Sequence, residues 1–247
     1  MPEIEEVTVY PGEWNTLKPL TLPSDKIERV PWTKYNREKT SKKQIVLHHT
    51  VSGDGITGDL ATWEKLRTVS TCIIIERDGI IKQLYSSRYW GHHLKAGNSQ
   101  LDKHSIGVEL DNWGGLFRGN GSTKQFGKRR NGSPNMVKTE IGKYYATYGN
   151  SVNCPVTHYP EGFRGYKYFE SYTVPQLRSL GELLLLWNKT YDIPLGYHED
   201  MWQRSQNALS GTPGIWAHVS YRYPKAKQDA HPQPELIQML KTLKSIA

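Results

Sequence analysis

Apolar and polar positions along the chain follow two periods. "QIVLHHT" (residues 44–50) sets three apolar residues in a row ahead of His48 and His49, the pattern of a strand buried on both faces. A strand points successive side chains to opposite faces, so only one imidazole, that of His48, shares the face of Val46. "TGDLATWEKLRT" spaces Leu60, Trp63 and Leu66 along one helical face, and "TCIIIERDGIIKQLY" predicts a hairpin turning at Asp78-Gly79. "HSIGVELD" predicts another strand, ending in acidic groups. "TVPQ" supplies a capping box ahead of "LRSLGELLLLWNKTY", a long helix closed by "DIPLG". "GIWAHVS" reads as a strand ending in His218, and Pro232 and Pro234 start a last short helix, "PELIQMLKTLKS".

Two stretches lack this order. Residues 1–40 are studded with prolines and scattered charges, and predict an extended N-terminal arm wrapping a core that begins near Lys43. Residues 112–172 are dense in Gly, Asn, Tyr and basic side chains, including "GNGSTKQFGKRRNGSPN". That composition predicts a long loop insertion too polar to build a core of its own, with "KRR" as a solvated charge run. With no internal repeat and no low-complexity linker, residues 41–247 read as one α/β domain.

Composition narrows the function classes. Lys and Arg outnumber Asp and Glu by 32 to 24 in the 247 residues, a net charge of +8 that favours polyanionic partners: nucleic acid, acidic lipid headgroups or phosphate-rich wall polymers. No recognised nucleic-acid motif accompanies the charge. Cys72 and Cys154 are too few for a disulfide framework and lack paired metal spacing, so they read as free thiols made in a reducing compartment. The N-terminus has neither a basic region nor an apolar core, and "LGELLLLWNK" is too short to span a bilayer. The expectation is a chain made in the cytoplasm without a signal peptide, with no membrane span.

Three predicted strand ends carry polar groups of related chemistry: His48 after "QIVL", Glu109 after "SIGV" and His218 after "GIWA". Open α/β sheets place their sites at strand ends. His231, in "KQDAHPQPE", follows closely enough to return to the same end. Three neutral imidazoles with an open fourth position suit a catalytic zinc, and a nearby carboxylate that is not a ligand supplies a base.

At these residues the chain resembles a known family. "IVLHHT", "VSTCIIIERDGIIKQLY", "WGHHLKAGNSQLDKHSIGVELD" and "AHVSYRYPKAKQDAHPQPE" resemble, in order and spacing, the zinc-dependent N-acetylmuramoyl-L-alanine amidases, which include phage lysins and peptidoglycan recognition proteins. The resemblance runs from about Ile45 to about Leu236, interrupted by the insertion. It implies a single domain with a central mixed β-sheet flanked by helices, and Zn2+ as cofactor. It puts the first ligand at His48, the second at His218 and the third just before a Pro, at His231. Many members carry a Lys two positions before the third ligand, where this chain has Asp229. Either Lys227 reaches in to steady the oxyanion, or that role is unfilled, or Asp229 is itself the ligand; the pre-Pro position and the all-nitrogen set favour His231. The family's base is a Tyr on an earlier strand or a Glu in the "SIGxE" strand. Here Thr71 stands at the former place and Glu109 at the latter. Trp90 and His93 fall in a substrate-lining segment, and Asp111, on the strand face of Glu109, is a further substrate-side candidate.

The implied reaction is hydrolysis of the amide joining N-acetylmuramic acid to L-alanine in bacterial peptidoglycan, by a monomer that reaches the wall after release, as a phage endolysin does. A cytoplasmic muropeptide-recycling amidase and a non-catalytic wall-binding protein of the same fold share the implied pattern. A nucleic-acid binder would leave the His/Glu set unexplained.

Overall fold

The computed structural model describes residues 14–53, 55–66, 69–128, 131–224 and 227–246. The first thirteen residues of the expected arm, and Arg129 and Arg130 of "KRR", lie outside the described residues.

Six strands form the main sheet: β1 (Ile27–Arg29), β2 (Gln44–His49), β3 (Ile73–Ile75), β4 (Ile81–Gln83), β5 (Ser105–Leu110) and β13 (Gly214–Ala217), in the order β1-β4-β3-β5-β2-β13. The sheet is mixed. β3 and β4 pair antiparallel across the hairpin, and every other neighbouring pair is parallel. The central strands β2 and β5 are buried along their whole length, which accounts for their continuous apolar runs.

Helices α1 (Thr57–Trp63), α2 (Ser99–Lys103), α3 (Val174–Tyr191), α4 (Gln206–Leu209) and α5 (Pro234–Ile246) accompany the sheet. α3 begins at the expected capping box: Thr173 accepts from the Gln176 amide, and Gln176 Oε1 accepts from the Thr173 amide. Leu177, Leu180 and Leu184 recur at helical spacing and are fully buried. The Gln176 side chain donates to the Ile75 and Asp111 carbonyls, tying the helix to the ends of two strands. At Gly181 an added Cβ would meet Leu17 at 2.6 Å and Met239 at 3.0 Å, so the chain before β1 and helix α5 both press on α3 there. Trp14, Leu17 and Leu20 enter the same core, and β1 extends the sheet edge. None of the described helices is long and apolar enough to cross a membrane.

The expectation of a long loop over 112–172 is corrected. The segment folds into β6 (Gly115–Arg118), β7 (Thr123–Lys128), β8 (Pro134–Lys138), β9 (Tyr144–Ala146), β10 (Ser151–Val152), β11 (Val156–Phe163) and β12 (Tyr166–Glu170). Five of these make an antiparallel sheet in the order β10-β9-β6-β12-β11, and β7 and β8 pair as a hairpin. The tyrosines and phenylalanines supply the missing core. Phe126 packs against Phe117 and Tyr145, and Phe169, fully buried, contacts Tyr159, Phe163 and Tyr166.

Candidate metal centre

Parallel register brings the site together. His48 lies opposite Glu109 across the β2–β5 pair, and Ala217 opposite Leu47, so His218 follows directly at the end of the neighbouring strand. His48 and Glu109 emerge on one face; His49 turns to the other, where its Nδ1 meets the Tyr172 hydroxyl at 3.1 Å. The paired imidazoles of "LHHT" therefore serve opposite sides of one strand.

The loop after β13 returns Asp229, not His231, to this point. Asp229 Oδ2 lies 2.9 Å from His218 Nδ1 and 3.3 Å from His48 Nδ1, and all three residues are buried. Among the described residues, these three place potential ligand atoms within 4.8 Å of one another. Donors about 2.0–2.1 Å from a tetrahedral zinc stand roughly 3.3 Å apart, close to the spacings here. His218 Nε2 donates to the Leu94 carbonyl at 3.0 Å, which leaves Nδ1, 2.9 Å from Asp229 Oδ2, as the nitrogen that would give its electron pair to a cation held between them. Asp229 Oδ1 is buried without a hydrogen-bond partner. Two imidazole nitrogens and a carboxylate oxygen converging on one point are a donor set that a cation satisfies, so the residues fit a zinc ion. Burial, helped by the neighbouring His218, drives His48 well below the ordinary histidine range.

His231 is fully buried elsewhere. Its Nδ1 pairs with the Tyr159 hydroxyl at 2.8 Å, its Nε2 with the Glu170 carbonyl at 3.0 Å, and its ring stacks on Tyr172 and Phe169. Both nitrogens are committed, and the geometry does not bring it to the His48–His218 pair.

Glu109 stands beside this trio with Oε2 buried and unpartnered. Burial, then the Asp229 and Asp59 carboxylates, push its own carboxyl well above the ordinary range. Lys227, half exposed, puts Nζ 3.8 Å from Asp229 Oδ1 at the edge of the site.

The three substrate-side expectations fare differently. His93 lies in the site but against His48: its Nδ1 is 2.9 Å from His48 Nε2, and burial pushes it down to about 4. Trp90 faces away, buried, with Nε1 donating to Glu38 and its backbone bridged to Asn36. Asp111 is fully buried in an ion cluster: Arg77 reaches it at 2.6 Å and Glu170 at 2.8 Å, joining the main sheet to the insertion sheet. Trp90 and Asp111 are thus both buried and engaged with partners other than the His48–His218–Asp229 group.

The insertion grips the ligand-bearing loop. Arg164 donates to the Val219 and Arg222 carbonyls, Gln228 Oε1 accepts from the Gly115 amide, and Tyr159 holds His231. Sequence reasoning missed this role, because no periodic signal links Arg164 to carbonyls 55 and 58 residues on.

Structural similarity extends to LysC, an N-acetylmuramoyl-L-alanine amidase from Clostridium intestinale URNW, at 14% identity over 85% of this chain and 91% of that one, TM-score 0.44. It extends also to the hydrolase AmiA of Staphylococcus aureus, at 14% identity over 94% and 87% of the two chains, TM-score 0.44. PGRP-SA of Apis mellifera is similar at 13% identity over 83% and 88%, TM-score 0.42. No curated protein matches the sequence. The profile described as N-acetylmuramoyl-L-alanine amidase matches residues 38–232, most of the chain and every residue of the site, and the chain therefore belongs to that family.

Proposed function

We propose that the protein hydrolyses the amide between the lactyl group of N-acetylmuramic acid and L-alanine in peptidoglycan, with zinc held by His48, His218 and Asp229, in the manner of a phage-type endolysin. The observation that carries this reading is the convergence of two oriented imidazoles and one carboxylate beside a second, unpartnered carboxyl. Zinc bound there supplies a Lewis acid that polarises the amide carbonyl and activates water.

The protein's own groups do the rest. Glu109 takes the proton from the attacking water and returns it to the nitrogen of L-alanine as the C–N bond breaks. Lys227, on its flexible stem, sits where its ammonium can steady the developing oxyanion. A filled ligand set with a base beside it favours hydrolysis over binding alone. The net charge of +8 favours an anionic wall polymer as the working substrate. We take the chain to act as a monomer, made in the cytoplasm and reaching the wall after release.

Mass spectrometry of purified peptidoglycan incubated with protein and zinc tests the proposal. The expected products are intact stem peptides with a free L-alanine amine and glycan retaining the lactyl carboxylate. Cleavage at another bond, or none at any zinc concentration, overturns it.

A further inference from the structure

The two histidines of the candidate centre are each held from behind by one short segment, residues 93–94. The Leu94 carbonyl takes the Nε2 proton of His218, while the His93 ring stands behind His48. Asp102 Oδ1 accepts from the amides of both His93 and Leu94, at 2.9 Å each, so one carboxylate at the end of α2 fixes the segment.

The direction of the hydrogen bonds behind His48 follows from their far end. Ser105 Oγ lies 2.7 Å from the Leu101 carbonyl and 3.3 Å from the Asp102 carbonyl, and both only accept, so its single proton is already donated. Toward His93 Nε2, at 2.9 Å, the Ser105 oxygen can only accept. His93 Nε2 therefore carries the proton, and in a neutral ring Nδ1 is left as an acceptor. His48 Nε2, 2.9 Å away, must be the donor, and the electron pair of neutral His48 falls on Nδ1, the atom that faces Asp229. We propose that Ser105 and His93 are positioning residues that set the tautomer of His48 by this directed chain, a role that rests on the zinc reading above.

One further observation supports a built arrangement. Ser105, Gly107 and Glu109 share one face of β5. An added Cβ on Gly107 would stand 2.8 Å from Thr71 Cγ2 and 3.0 Å from the His93 ring, so glycine makes the room in which the ring lies. The single stretch "SIGVE" thus supplies the acceptor, the gap and the base.

The test reads protons directly. Nitrogen-15 imidazole spectra near neutral pH should show a proton on His48 Nε2 in metal-free protein, and His93 as the neutral Nε2–H tautomer in zinc-loaded protein. A bare His48 Nε2, or a proton on His93 Nδ1, would overturn the chain. In parallel, zinc affinity measured against a competing chelator should fall about 10-fold to 100-fold in His93→Phe, the usual cost of losing a partner behind a ligand. His93→Asn, whose Oδ1 can still accept from His48, should recover part of that loss. Unchanged affinity in a folded His93→Phe protein would also refute the role. Should that variant not fold, Ser105→Ala takes its place, with a mixture of His93 tautomers expected and an unaltered spectrum counting against the proposal. Failure of wild-type protein to bind zinc would defeat the metal reading itself, while the metal-free spectrum would still judge the chain.

Discussion

Asp229 and His231 lie two residues apart and point to different centres. The residue types alone favoured His231, since neutral nitrogens make the commoner catalytic set; the fold favours Asp229, because its carboxylate turns to His48 and His218 while both nitrogens of His231 are taken by Tyr159 and Glu170. Asp229→Asn should therefore weaken zinc binding by at least ten-fold in chelator competition, whereas His231→Gln should lower stability and leave affinity in a folded sample within a few-fold of wild type. The reverse ranking would return His231 to the ligand set. Glu109→Gln should separate cleanly from both. It preserves size but cannot accept a proton, so zinc content should stay full while stem-peptide release falls about 100-fold to 10,000-fold, the usual worth of a general base. Full zinc with a near-normal rate would remove Glu109 from the mechanism. The strand-end positions of His48, His218 and Glu109 were legible in the sequence because each closes a largely apolar strand. The direction of a side chain in an irregular loop has no such period to reveal it, which is why Asp229 stayed an alternative and why the burial of Trp90 was not foreseen.

Among the elements, those with a period were the readable ones. β2, β5, the β3–β4 hairpin, α3 with its capping box and the strand before His218 all stand where alternation or helical spacing put them. The insertion sheet was hidden by its strands' composition. β7 and β8 are exposed at most positions, so polar residues and glycine fill them, and the apolar content sits in tyrosines that read equally well as ligand contacts or surface. Strand β5 carries a prediction of its own. Gly107→Ala places a methyl against Thr71 and the His93 ring, and overpacking of this kind costs about 1–3 kcal/mol. Thermal unfolding should register that loss, and zinc affinity should drop with it because the displaced ring is the one behind His48. A stable Gly107→Ala protein with normal affinity would mean that the ring relaxes without cost.

For the whole molecule, the question is whether the insertion serves the wall or the metal loop. It touches the loop through Arg164, Gln228 and Tyr159, so simply deleting it would disturb the ligands and any wall contact together. Point changes on its two sides separate the roles. Residues paired directly across an antiparallel sheet share a face: His158, Tyr168, Leu116 and Ala146 form one row, and Arg118 with Tyr144 the next. On that face the His158 and Tyr168 rings stack at 4.7 Å, Tyr144 leans on Tyr168 at 5.3 Å, and exposed Arg118 adds a cation. Aromatic rings beside a basic group suit stacking on the sugars of an anionic wall. Tyr144→Ala combined with Tyr168→Ala should therefore weaken sedimentation with intact walls several-fold while leaving cleavage of a small soluble muropeptide unchanged. Arg164→Ala should do the opposite: by freeing the Val219 and Arg222 carbonyls it loosens the loop between His218 and Asp229, lowering zinc affinity and the rate on both substrates. Equal losses on both substrates for the tyrosine pair would assign the insertion wholly to supporting the ligand loop.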